Sequence, residues 1–333
     1  MVGRVQQRAG VIGRLAQLLL FFAGAVALVH ALAYMGDTWA PDSNTRFLQA
    51  DRRHVEGMLA GAPRIDALAL GSSHTGSLDL AALGFDAGYR YARADGDLFE
   101  TRHYLSTLAP RMPALEVVFV PLSYFSFLGD NAASEEVRIR RAHMYASLPA
   151  WRFARGDLGS FVAGKSHTYL PVARLLREDN WEGVAYSLLG RPPEMKGFVE
   201  VAAGDCSYLD DDQVVASADN RVAKYMRLTQ EMSANHPGLA EDTYAAVAGI
   251  QHDLAQRGIR VVFFTPPYLQ EYNDLYMAQD PETIRLMRES IERLQREEGI
   301  EYYDFSADPA FTGDHTLFKD SDHLNACGAT LFS

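Results

Sequence analysis

The sequence predicts an α/β fold: a mostly parallel sheet with helices on both faces, carrying a helical and irregular insertion and preceded by an N-terminal transmembrane helix. Three observations carry this. Short apolar runs of strand length alternate with amphipathic segments of helix length. The alternation loosens between Ser123 and Ala240, where aromatic and arginine-rich pieces replace it. A long apolar run follows a basic N-terminus. With 333 residues, 48% of them hydrophobic, the chain is long enough to bury a full core.

Taken in order, residues 1–14 read as a basic cytoplasmic segment, with Arg4, Arg8 and Arg14 and no acid. "LAQLLLFFAGAVALVHALAYM", Leu15 to Met35, is interrupted only by Gln17 and His30. As a helix it spans roughly 31 Å, close to the thickness of a bilayer's hydrocarbon core. The arginines before it place the N-terminus in the cytoplasm and the rest of the chain outside. A cleavable signal peptide is the alternative, because "ALVHALA" offers small residues at cleavage-like spacing. Either reading exports residues 36–333, and a buried core helix is the bland third reading.

Within that exported part, "RFLQADRRHVEGMLAG" reads as helix and "IDALALG", between Pro63 and Gly71, as a buried strand. "DLFETRHYLSTLA" starts with Asp97 and has Glu100 three residues later, a start resembling a capping box. "LEVVFVP" is a second strand, and "EDTYAAVAGIQHDLAQRG" a helix ending at Gly258, followed by the strand "IRVVFFTPP". "DPETIRLMRESIERLQREEG" has Asp280 as cap, Pro281 at the first helical position and Gly299 at its end, and "IEYYDFS" completes the series. The insertion, about residues 124–240, includes "DCSYLDDDQ", read as an acidic turn-rich segment. The chain stops at "GATLFS", inside the pattern of a last helix, and an incomplete chain is the expectation.

Lys and Arg number 31 against 43 Asp and Glu, a formal net charge of −12, which opposes binding to nucleic acid. Cys206 and Cys327 lie far apart outside any metal-ligand spacing, and fit a reduced pair, one long-range disulfide or two unrelated core residues.

The chemistry-bearing residues sit at two ends of the chain. "ALALGSSHTGSLDL" is a buried strand ending in Gly71, Ser72, Ser73 and His74, and in open parallel sheets ligands bind beyond the carboxyl ends of strands. A serine there is a candidate nucleophile. "FKDSDHLNACG" supplies Asp320, Asp322 and His323 in a loop, and a serine hydroxyl needs a base and a carboxylate to orient it. Read instead as metal ligands, Asp314, His315, Asp320, Asp322 and His323 match no common site, so no metal and no cofactor are expected. His74 reads more simply as a histidine hydrogen-bonded within its turn. Aromatic residues of the insertion suit either a sugar face or a core.

Gly71-Ser72-Ser73 resembles the first block of the SGNH (GDSL-like) hydrolase superfamily, with Ser72 where Asp is commoner, and Asp320-Ser-Asp-His323 resembles its DxxH last block. "ADGDLFETRHYL", "VVFVPLSYFSF", "GIRVVFFTPPYLQEY" and "DHLNACGA" resemble, in order and spacing, a membrane-anchored bacterial branch. That branch includes the D-alanyl transfer protein of teichoic-acid operons and SGNH proteins of polysaccharide O-acetylation.

The resemblance implies a three-layer, flavodoxin-like sheet. It makes Ser73 the nucleophile, His323 the base and then acid, and Asp320 the residue that orients the imidazole, since neighbours in an extended loop point apart. It implies oxyanion donors at the Ser73 and Gly96 N–H groups, with Ser123 where the family usually has Asn. His74, Asp322 and Asn325 are then candidate substrate contacts. The function implied is a single-pass, inner-membrane, periplasmic O-acyltransferase or esterase acting on a cell-envelope glycan, with acetyl the expected group. Its expected partners are a membrane-bound O-acyltransferase and a glycan acceptor. A scaffold that binds a polymer or positions that partner is the non-enzymatic alternative, and a lipase-like or thioesterase-like hydrolase is the third reading.

Overall fold

A computed structural model describes residues 14, 16–29, 31, 43–151, 153, 157–169 and 205–333. Residues 16–29 are helical, with Leu18, Phe21, Phe22 and Leu28 exposed. Among the described residues no helix is long and apolar enough to cross a membrane. Residues 15, 30 and 32–35 of the expected 15–35 span, the basic residues 1–13, and the stretch 170–204 of the insertion lie outside the described residues.

The sheet has five parallel strands: β1 (Ala67–Gly71), β2 (Tyr89–Ala92), β3 (Val117–Pro121), β4 (Arg260–Thr265) and β5 (Glu301–Asp304). Their order is β2-β1-β3-β4-β5, the flavodoxin-like order whose direction reverses between β1 and β3. The helices are α1 (Ser43–Gly61), α2 (Leu98–Leu108), α3 (Ile139–Ser147), α4 (Leu158–Tyr169), α5 (Asp211–Asn235), α6 (Leu239–Ala255), α7 (Gln270–Gln279), α8 (Pro281–Glu298) and α9 (Ala326–Phe332).

Strand alternation divides the core unequally. Leu68 and Leu70 of β1, Val118 and Val120 of β3, and Val261 and Phe263 of β4 join one large cluster with α1, α2, α5, α6, α7 and α8. Each such side chain contributes roughly 1.5–3 kcal/mol when fully buried. Ala67, Ala69, Val117, Val262 and Phe264 face a smaller cluster, covered by Leu78, Leu80 and Phe85 and by Phe332 of α9. Helices do lie on both sides, but the second layer is thin.

Local chemistry sets the boundaries. Asp97 caps α2 by accepting the Glu100 N–H at 2.8 Å. Asp280 caps α8, Pro281 opens it, and Gly299 ends it at φ 64°. The segment read as acidic turns opens α5, a 25-residue helix and the longest described element. Its start is a complete capping box, with Asp210 accepting from the Gln213 N–H and the Gln213 side chain accepting from the Asp210 N–H.

Gly71 ends β1 at φ +157°, and a Cβ there would sit 2.8 Å from Cδ of Pro121, so a bare backbone is required where β1 turns into the serine loop beside β3.

Of the three readings open for the cysteines, the structure takes the disulfide: Cys206 and Cys327 are bonded, with Cα atoms 5.3 Å apart. The bond joins the approach to α5 to α9. Because 121 residues separate the two cysteines, the cross-link restricts a long loop of the unfolded chain, an effect of up to about 5 kcal/mol in the chain-entropy account. Urea unfolding with and without dithiothreitol is expected to show a lower midpoint for the reduced protein, and coincident curves would remove the bond from the stability of the fold.

Candidate active site

The serine loop, the loop after β2 and the loop after β3 meet at the carboxyl edge of the sheet, where the strand order reverses. Ser73 begins a 3-10 turn, Ser73–Ser77, directly after β1. At the other end of the chain a two-stranded hairpin, β6 (Phe318–Asp320) and β7 (His323–Leu324), pairs Asp320 with His323. This hairpin delivers the imidazole to the serine.

His323 Nε2 lies 2.7 Å from Ser73 Oγ across 250 positions of sequence. Its Nδ1 is 2.8 Å from Asp320 Oδ1 and 3.0 Å from Asp322 Oδ1. With only carboxylate oxygens at Nδ1, that nitrogen carries the proton, and Nε2 presents its lone pair to the Ser73 hydroxyl. Asp320, expected to hold the ring in preference to Asp322, lies at that nitrogen, and Asp322 shares it. The tight turn through Ser321 brings both carboxylates to one nitrogen, where an extended loop would have separated them.

Asp322 is fully buried. Its Oδ2 accepts from the Tyr225 hydroxyl at 3.1 Å and faces His74 Nε2 at 3.3 Å, and Arg221 Nε is 3.4 Å from Oδ1. Burial would push this carboxyl up, but His323 and Arg221 hold it well below the usual range. Asp320, 16% exposed, accepts from Arg221 at 2.6 Å. Ser217 of α5 also accepts from the Ser321 N–H at 3.2 Å and fixes the same turn.

The His74 imidazole is not bonded within its own turn, where only its carbonyl accepts, from Ser77 Oγ at 2.7 Å. It is buried, its ring centroid 4.6 Å from that of His323, and its Nδ1 lies 2.5 Å from Ser123 Oγ. Burial, then the neighbouring His323, lowers its pKa, so it is held neutral with Nε2–H toward Asp322 and Nδ1 accepting the Ser123 proton. Ser123 is thereby engaged: its hydroxyl serves His74 and its N–H donates to Ser126 Oγ at 2.7 Å. The Gly96 N–H donates to Arg93 O at 3.2 Å. Of the three expected oxyanion donors, only the Ser73 N–H is without a hydrogen-bond partner among the described residues.

Asn325 is also placed differently from expectation. It is buried, caps α9 through the Gly328 N–H at 2.9 Å, and donates to Thr316 O at 2.7 Å. Its role is to hold the histidine loop. His315 and Asp314 lie apart from the cluster, His315 between Asp211 and Glu271 and Asp314 capping the Thr316 N–H. His74, Asp322 and His323 do bring three ligand-type atoms within 4.8 Å of one another, and the hydrogen bonds above occupy each of them.

The residues that sequence reasoning missed are Arg221 and Tyr225, one turn apart on α5. The capping box at Asp210 followed by Val214, Ala218 and Val222 at helical spacing was the available signal.

His323 titrates above its ordinary value: burial lowers it, and Asp320 and Asp322 outweigh burial. Catalysis as a base needs the neutral ring, so the acid limb of activity on an activated ester is expected above pH 6.5. Replacing Asp320 with Asn removes part of the raising charge and moves that limb to lower pH. Either single Asn variant keeps one carboxylate on Nδ1, so the double variant is expected to lose far more activity than either, approaching about 10⁴-fold. A pH-rate profile unmoved by Asp320→Asn would remove that residue from the base. No protein-family model matches this sequence, and no curated protein matches it.

Proposed function

We propose that this chain is an extracytoplasmic serine-dependent O-acyltransferase or esterase of the SGNH type, acting on a cell-envelope or exported glycan, with acetyl as the transferred group. The observation that carries the reading is the Ser73–His323–carboxylate array at the reversal point of the sheet. His323 takes the Ser73 proton as Oγ attacks the acyl carbonyl, and the tetrahedral intermediate forms against the Ser73 N–H. Collapse breaks the bond to the leaving group, which departs with the proton from His323. An acceptor hydroxyl then loses its proton to His323, attacks the acyl-serine and regenerates Ser73, which receives the proton back.

Export is supported by the disulfide, a bond that persists in oxidising compartments, and by the basic N-terminus followed by the apolar run Leu15 to Met35, read as an anchor in the inner membrane. An anchored site implies a donor in the same membrane, and a membrane-bound O-acyltransferase is the partner proposed.

A second reading, a scaffold that binds polymer, is favoured by one specific observation: Ser123 and the Gly96 N–H are both engaged elsewhere. The test is direct. The full chain is expected to release p-nitrophenol slowly from p-nitrophenyl acetate and to be labelled at Ser73 by a fluorophosphonate, with both signals lost in Ser73→Ala and His323→Ala. Turnover should rise on adding a glycan acceptor. Absence of any Ser73 adduct in a folded protein would transfer the assignment to the scaffold.

A further inference from the structure

Ser123 and His74 form a buried hydrogen-bonded pair to which acyl transfer itself gives no task. Neither can touch a substrate: Ser123 is 0% exposed and His74 1%. The His74 ring packs against Phe125 and Tyr268, with centroids 6.2 and 5.5 Å away, and its backbone is tied down by Ser77 Oγ. Its Nδ1 is 2.5 Å from Ser123 Oγ and its Nε2 3.3 Å from Asp322 Oδ2. A neutral imidazole has a single N–H to give. A lone pair on Nε2 would meet the lone pairs of a carboxylate, so the proton belongs on Nε2, and Nδ1 must accept. Ser123 supplies what Nδ1 accepts through its hydroxyl, since its own N–H is committed to Ser126 Oγ.

We infer that Ser123 and His74 are positioning residues: Ser123 fixes the His74 tautomer, His74 fixes the rotation of the Asp322 carboxylate, and Asp322 so held, more than Asp320, orients His323. The inference rests on the reading of Ser73 as nucleophile. The two oxygens of Asp322 have separate duties. Oδ2 takes the Tyr225 hydroxyl at 3.1 Å and the His74 N–H, which leaves Oδ1 turned to His323 Nδ1 at 3.0 Å and to Arg221 Nε at 3.4 Å. Asp320 reaches the same nitrogen at 2.8 Å, and its other oxygen accepts from Arg221 at 2.6 Å. It is 16% exposed, however, so water competes for its lone pairs, whereas Asp322 is sealed from solvent. Hydrogen bonds therefore run without a break from Ser73 through His323, Asp322 and His74 to Ser123. Bonds in such a chain reinforce one another, because each polarises the next.

The experiment follows p-nitrophenyl acetate turnover by the full chain, with intact-mass detection of a fluorophosphonate adduct on Ser73, in folded variants. His74→Phe keeps a ring and removes both of its hydrogen bonds. Its kcat is expected to fall at least about tenfold with KM little changed, as loss of a hydrogen bond to a charged group warrants. His74→Gln, whose amide N–H can take the place of Nε2–H, is expected to recover part of that loss. A double-mutant cycle then tests the route. In the Asp320→Asn background the His74→Phe step is expected to cost at least as much as in the wild-type chain. In the Asp322→Asn background it is expected to cost less than about twofold, because the carboxylate it positions is gone. Ser123→Ala reports on the same pair should His74→Phe fail to fold, and its cost is expected to vanish in Asp322→Asn as well. A His74→Phe loss of equal size in the two Asn backgrounds overturns action through Asp322. A Ser123→Ala loss that persists in full in Asp322→Asn overturns the tautomer role and returns Ser123 to the oxyanion site. Unchanged kcat in the folded single variants, with Ser73 still labelled, overturns the positioning role alone. Failure of the folded wild-type chain to form any adduct overturns the nucleophile itself, and the inference with it.

Discussion

A single buried carboxylate, Asp322, is the constraint on which the site depends. Removing a charge of this kind from water costs several kcal/mol unless partners replace the solvent. Here four do: the two imidazoles, the Tyr225 hydroxyl and the Arg221 guanidinium. Each is thereby fixed in turn. His323 is aimed at Ser73, His74 is held neutral against Ser123, and α5 is docked against the histidine hairpin. Loss of one partner would leave the others oriented but the charge less well compensated, so the cluster behaves as a unit.

A second polar network does the same for the walls. Arg141, almost fully buried, is paired with Asp97, Asp130, Glu100 and Asp157, and Arg93 is paired with Asp51 and Glu100. These contacts tie α1, the loop after β2, α2 and α3 together around the Gly96 turn. Within this networked backbone the Gly96 N–H donates to Arg93 O. The geometry beside the serine is thus set by salt bridges that lie well outside it.

Local chemistry decided what the sequence could disclose. β1 and α8 are legible because glycine, proline and capping aspartate punctuate both of their ends. Ser73, His323 and Asp320 are legible because polar residues that end a buried strand or crowd a loop stand out against the apolar pattern around them. β2 went unread because it is four residues long and buries only Tyr91, leaving no alternation to detect. α5 went unread because its acidic opening has the composition of a turn, although the same residues form its cap. Contacts such as Asp322 with Tyr225 or His74 with Ser123 join positions 97 and 49 apart and leave no local pattern.

The disulfide gives the order of events during biosynthesis a physical meaning. Cys327 follows His323 by four positions, and its partner lies just ahead of α5. In the order of synthesis the β1 serine loop precedes the hairpin that brings His323 to it and the cysteine that ties that hairpin down. Until the hairpin has been made, Ser73 has no imidazole beside it, and the covalent tie to the approach to α5 needs an oxidant once Cys327 has been added. Timing of maturation is in this way written into the spacing of two cysteines.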